Sequence, residues 1–211
     1  MNITLFRPAK TSHLTLLLLF LCAVPLGSCS SFLVFTAPTV GVAAVQERSI
    51  GDAVDDLTIR AELNQLFFDD NVDLLQSVSF TVIEGRVLLK GSVKDQKSRI
   101  HAIELVWKAS GVREVINEIQ VTDQGGIVNY ALDTWISTQL TTKILFDKDI
   151  LGVNYNLETI NGIIYVAGIA QDEAELDKVI YHARRIENVK KVISHVLMKD
   201  DPNRLPGPQK D

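Results

Sequence analysis

The sequence predicts an α+β protein made of two tandem copies of one αββαβ domain, each a three-stranded mixed sheet covered on one face by two helices. The first observation behind this is a gapless internal repeat at a spacing of 77 residues. Gly85, Gly91 and Asp95 meet Gly162, Gly168 and Asp172, while Ile59, Leu63, Val87, Leu89 and Ile119 meet Ile136, Leu140, Ile164, Val166 and Val196. A unit of that length exceeds the ~20 to 50 residues of a solenoid repeat and can close a modest core of its own. The second observation is that apolar spacing inside each copy switches from helical to alternating and back. The third is that both cysteines, Cys22 and Cys29, precede the repeats, so no disulfide cross-links them.

The first element, residues 1–28, reads as a secretory signal: Arg7 and Lys10, an apolar run from Leu14 to Leu26, then small residues. The run is shorter than the ~20 residues that span a bilayer. Leu26-Gly27-Ser28-Cys29 resembles the lipobox of bacterial lipoproteins, which implies cleavage before Cys29 and acylation of its thiol. Several acyl chains anchor a protein durably where one is marginal. Ser30, rather than Asp, after the cysteine resembles the lipoproteins passed on to the outer membrane. Residues 29–51 form a tether, small and apolar from Ser30 to Val45, for which contact with the bilayer and a free linker are both open readings.

In the first copy, residues 52–123, Ile59, Leu63, Leu66 and Phe67 recur at helical spacing, so a helix is expected over about Asp55 to Phe68. Val78, Phe80 and Val82 alternate with polar positions and are separated from Val87 and Leu89 by Glu84-Gly85, the signature of a hairpin. Its counterpart Asn161-Gly162 suits a type I′ turn, whose two central residues need positive φ. Asp95 and Asp172 stand where a second helix needs its N-cap, with Glu175 placed as in a capping box. Gly111 and Asn188 supply the left-handed residue that ends it, near Ala109 and Ile186. Val112 to Val121, and Val189 to Met198, form the last strand. Residues 124–131 read as a linker, 132–200 as the second copy and 201–211 as a disordered tail.

The lipobox, the tether and the doubled αββαβ pattern, with hairpin glycines and the strand-end glycines of Leu88-Leu89-Lys90-Gly91 and Val166-Ala167-Gly168, resemble the BON domain family. Arg48-Ser49-Ile50-Gly51, Val54-Asp55-Asp56 and Asp133-Thr134-Trp135-Ile136 are similar to its dual-domain outer-membrane lipoproteins, over nearly the whole mature chain. The sequence departs from the family at Asn188, where a glycine is usual. The resemblance implies a periplasm-facing protein, anchored in the outer membrane, that maintains the envelope under stress without catalysis by binding anionic phospholipid, mainly through the second domain. A membrane-tethered adaptor holding envelope proteins is the alternative.

The residues offer a candidate lipid site. Trp135 lies one position off the core stripe of Ile136, Leu140 and Ile144, which turns it about 100° toward solvent beside Leu132. A membrane interface and a plug against the first repeat both explain such a Trp. Arg184, Arg185, Lys190 and Lys191, with Lys178, gather near the second helix of the second copy. That copy carries net charge −2 against −5 for the first, so it is the one suited to anionic headgroups, although an ordinary solvated face accounts for the same charges. Removing the signal leaves −7, which argues against a nucleic-acid partner. No phosphate loop, nucleophile elbow or ligand-spaced His/Cys cluster is present, so neither cofactor, metal nor catalytic residues are expected. His101, His182 and His195 read as surface residues, and Asp69-Asp70 and Asp147-Asp149 as turn formers in loops.

Overall fold

The computed structural model describes residues 47, 49–70, 72–122 and 129–204. The signal, Cys29, most of the tether and the tail beyond Arg204 lie outside the described residues. The first repeat runs α1 (Ile50–Asp70), α2 (Val72–Ser77), β1 (Val78–Ile83), β2 (Arg86–Val93), α3 (Gln96–Val106) and β3 (Glu114–Val121). The second runs α4 (Tyr130–Phe146), a 3-10 turn (Gly152–Asn154), β4 (Tyr155–Ile160), β5 (Ile163–Ala170), α5 (Glu173–Arg184) and β6 (Lys191–Met198). Each sheet places its middle strand antiparallel to the first and parallel to the last, as the αββαβ order requires.

Helix α1 starts at Ile50, five residues before the expected Asp55 and nine before the first residue of its apolar stripe, Ile59. Ser49 and Asp52 explain this: the Ser49 backbone and hydroxyl donate to the Asp52 carboxylate and the Asp52 N–H donates to Ser49 Oγ, a reciprocal cap. Asp69 and Asp70 therefore end a helix rather than occupy a loop. Short α2 and the 3-10 turn, absent from the sequence expectation, lead into β1 and β4. Asp95 and Asp172 cap as expected, accepting from Ser98 N–H at 2.7 Å and Glu175 N–H at 2.8 Å. Glu175 does not close the expected box. Its carboxylate accepts instead from the N–H groups of Gln171 and Leu151, tying the α5 entrance to the loop after α4. The hairpin turns have positive φ at both central residues in both repeats, Glu84 and Gly85 as well as Asn161 and Gly162. Asn188 matches the left-handed φ of Gly111, which accounts for the departure from the family pattern.

Two apolar cores form, one per repeat. Ile59, Leu63 and Phe67 of α1 pack on Val87, Leu89 and Val93 of β2; Ile136, Leu140 and Ile144 of α4 pack on Ile164 and Val166 of β5. The opposite faces of β2 and β5 are buried as well, through Leu88, Lys90, Ser92, Tyr165, Ala167 and Ile169. The two sheets face each other, so the described body is a helix–sheet–sheet–helix stack of four layers where the sequence implied separate two-layer units. The contact is pseudo-two-fold. Ser79 Oγ donates to Glu158 at 2.6 Å and Thr81 Oγ1 donates to Asn156 at 3.1 Å, two pairs that exchange under the repeat shift. Glu118 and His195, equivalent positions, meet each other at 2.9 Å.

Candidate functional site

The hairpin end of the second repeat is assembled by one residue. Asp133, buried in the first turn of α4, accepts from Asn161 N–H at 2.6 Å and Gly162 N–H at 2.8 Å. Asp56 does the same in the first repeat for Glu84 and Gly85, both at 2.9 Å. The clamp binds the start of the outer helix to the turn. From the other side, Lys190 N–H donates to Gly162 O at 2.8 Å and its ammonium to Asn161 O at 2.9 Å. The start of α4, the turn, the end of α5 and the start of β6 thus meet at one end of the repeat.

Every expected lipid-site residue of the second repeat lies there. Leu132 and Trp135 are 38% and 47% exposed on the outer side of α4. Inter-repeat contacts run through the sheets, on the far side from the helices, so Trp135 is not a plug. Arg184 ends α5, and the guanidinium of Arg185 stacks 5.1 Å from the Tyr181 ring centroid. Lys191 is exposed opposite Ile163. Lys190 is less available than the sequence suggested, because its methylenes cover Gly162 and its ammonium is held by a carbonyl. Lys178 is paired with Asp149 on the exposed side of α5, which raises its pKa.

At the same places the first repeat has Asp55 for Leu132, Thr58 for Trp135, Trp107 for Arg184, Lys108 for Arg185, Arg113 for Lys190 and Glu114 for Lys191. Glu114 there is paired with Arg86 at 2.6 Å. The end that is apolar and cationic in the second repeat is of mixed charge in the first, where Asp55 and Glu114 stand among Lys108 and Arg113.

Two exposed residues escaped sequence reasoning. Leu145 and Phe146, 72% and 79% exposed, finish α4. The signal was available: Ile144 completes the buried stripe, so its successors rotate outward. Between them and Trp135, α4 and β4 border a groove of about 410 Å³ lined by Thr134, Thr138, Thr141, Thr142 and Leu157. Thr134, Thr138 and Thr142 donate their hydroxyls to carbonyls one turn back, at 2.8 Å each. Bonded this way, threonine turns its methyl group outward and behaves as an apolar residue.

The histidines are partly exposed, His101 the most at 39%, but they are not bare surface groups. Each meets a carboxylate: His101 with Asp70 and His182 with Asp147 at 2.7 Å, and His195 with Glu118. The bond from His182 holds the Asp147 carboxyl below its ordinary pKa. Among the described residues no group of three or more His, Cys, Asp or Glu could hold a metal ion, and no helix is long and apolar enough to cross a membrane.

With this architecture, the family model of the BON domain matches residues 55–123 and again 132–200, and the chain belongs to the BON domain family. It is 37% identical over 147 residues to an uncharacterized protein in the gshII 5′ region of Anaplasma centrale, covering 69% of this chain and 96% of that one. It is 29% identical to the outer membrane lipoprotein DolP of Haemophilus influenzae, over 71% of this chain and 78% of the relative. It is 25% identical to the osmotically-inducible protein Y of Escherichia coli, over 71% and 76%.

Proposed function

We propose that this is a non-enzymatic envelope protein, anchored through Cys29 in the outer membrane and facing the periplasm, that maintains membrane integrity by binding anionic phospholipid through its second BON domain. The observation that carries the reading is the convergence of Leu132, Trp135, Arg184, Arg185 and Lys191 at one exposed end, where the first repeat has Asp55, Thr58, Trp107, Lys108 and Glu114 and so keeps one cation of the three beside two carboxylates. Trp suits the headgroup region, and each nearby cation contributes about 1 kcal/mol at an anionic surface. The methyl-lined groove and Leu145 extend the apolar part of the same helix. The name of the DolP relative, an outer membrane lipoprotein, supports the location.

The test is Trp135 fluorescence of the full-length acylated protein in vesicles containing brominated lipid, with Trp107→Phe removing the other indole. Quenching in phosphatidylglycerol vesicles that weakens with salt and is absent in phosphatidylcholine vesicles is expected. Equal quenching in both, or none, would remove the reading. A protein-binding adaptor is the second reading, favoured by the exposed stripe of Val54, Leu57 and Phe68 on α1; crosslinking to a specific envelope protein without lipid-dependent quenching would put it first.

A further inference from the structure

The seam between the repeats contains a cleft of about 200 Å³, bordered by Arg60, Thr81, Ile83, Asn154 and Asn156. This is below the roughly 300–1,000 Å³ of ordinary small-molecule pockets, so only a small group fits. Next to this lining lies a satisfied polar network reached through Thr81 and Asn156. Lys90, 1% exposed, donates to Thr81 Oγ1 at 2.5 Å and pairs with Glu158 at 2.7 Å. Glu158 also accepts from Ser79, so the nearby carboxylate is fully engaged. Thr81 in turn donates to Asn156 Oδ1, which leaves the amide N–H groups of Asn156 without a partner among the described residues. Arg60, half-buried on α1, has no hydrogen-bond or ion-pair partner among them; burial lowers the pKa of the Lys90 ammonium, and the Arg60 charge adds to that in the same direction.

Arg60 is therefore the cation of the cleft lining, beside the unused Asn156 amide, while the Lys90–Glu158 pair outside the lining is satisfied within the seam. The repeat supplies its own control: the position equivalent to Arg60 is Ser137, whose hydroxyl is satisfied by Thr159 at 2.9 Å. An arginine here is thus not a demand of the fold. We propose that this cleft binds a small oxyanion, a phosphate or carboxylate group, received by the Arg60 guanidinium with the Asn156 amide at the rim. A planar guanidinium matches such a group with two parallel N–H donors, and partial burial strengthens the bond relative to open water. The site is distinct from the lipid surface and does not rest on it.

The experiment is NMR observation of the Arg60 Nε–H and Asn156 side-chain amide in the full-length protein in zwitterionic micelles. Inorganic phosphate is titrated in one series and glycerophosphoglycerol, a headgroup without acyl chains, in the other. Saturable shifts are expected, weakened about 10-fold or more in Arg60→Gln, as loss of a charged hydrogen bond requires, and less in Arg60→Lys. Lys97→Gln, an exposed cation of α3 outside the cleft lining, should change nothing. Tighter binding of the phosphodiester would identify a headgroup as the source, and tighter binding of phosphate a free anion. No saturable shift with either titrant, or unchanged affinity in Arg60→Gln, overturns the proposal while leaving the Trp135 result intact.

Discussion

Asp56 and Asp133 show how much one buried carboxylate does in this fold. Each satisfies two turn N–H groups that would otherwise be orphaned, so Asp133→Ala should destabilise by roughly 2–4 kcal/mol, read from the denaturant midpoint, with Asp133→Asn milder. Trp135→Ala should leave that midpoint within about 0.5 kcal/mol, as expected of an exposed residue away from such features. The histidine pairs were not legible. Asp70 and Asp147 are equivalent, but His101 and His182 stand a helical turn apart relative to the repeat, so no shared spacing announces their common partner. Because Asp147 is depressed below the ordinary 3.8, its contribution is present above that value and is lost as pH falls through the lower folded-state pKa. Acid unfolding of His182→Ala, compared with wild type, should show less of this loss below pH about 4.

Elements were read well where local rules acted alone. Apolar spacing placed the long helices, turn chemistry placed both hairpins, and Asp95 and Asp172 marked the second helices. Asp95→Ala should cost about 1 kcal/mol, measurable by thermal unfolding. The start of α1 was missed because its cap, Ser49 with Asp52, precedes the apolar stripe on which the reading relied. Gly91 and Gly168, strand ends by sequence, lie inside β2 and β5, with φ of +138° and +149°. A methyl group at Gly168 would stand 2.1 Å from Asn154 O, backbone that cannot swing aside, so Gly168→Ala should prevent the β4–β5 pairing and be recovered as unfolded protein. The threonines of α4 read as polar until their hydroxyls are seen turned into the helix. The outward face of that helix is consequently more apolar than its sequence.

At the scale of the whole molecule, the pseudo-two-fold interface is closed on one side by Arg204. This residue, beyond β6, reaches the buried Glu84 carboxylate at 2.7 Å and donates to the carbonyls of Glu47 and Lys199. Glu84 occupies a positive-φ position where the second repeat has Asn161, and the ion pair explains why a poorer turn former stands there. Arg204→Ala leaves a buried charge unpaired and should cost roughly 3–5 kcal/mol, partly recovered by Glu84→Asn in the same chain, as chemical denaturation would show. By itself the sequence determined the duplication, the element order, the core stripes and the contrast in charge between the repeats, because periodicity and φ requirements act over a few residues. Only the tertiary structure decided that the sheets stack, that Trp135 does not plug against the first repeat, that Lys190 is partly spent on a turn, and that Arg60 has no partner among the described residues around its cleft. Those outcomes depend on residues far apart in the chain and on the second face of β2 and β5, where Leu88, Lys90 and Tyr165 carry no local mark of the partner they meet.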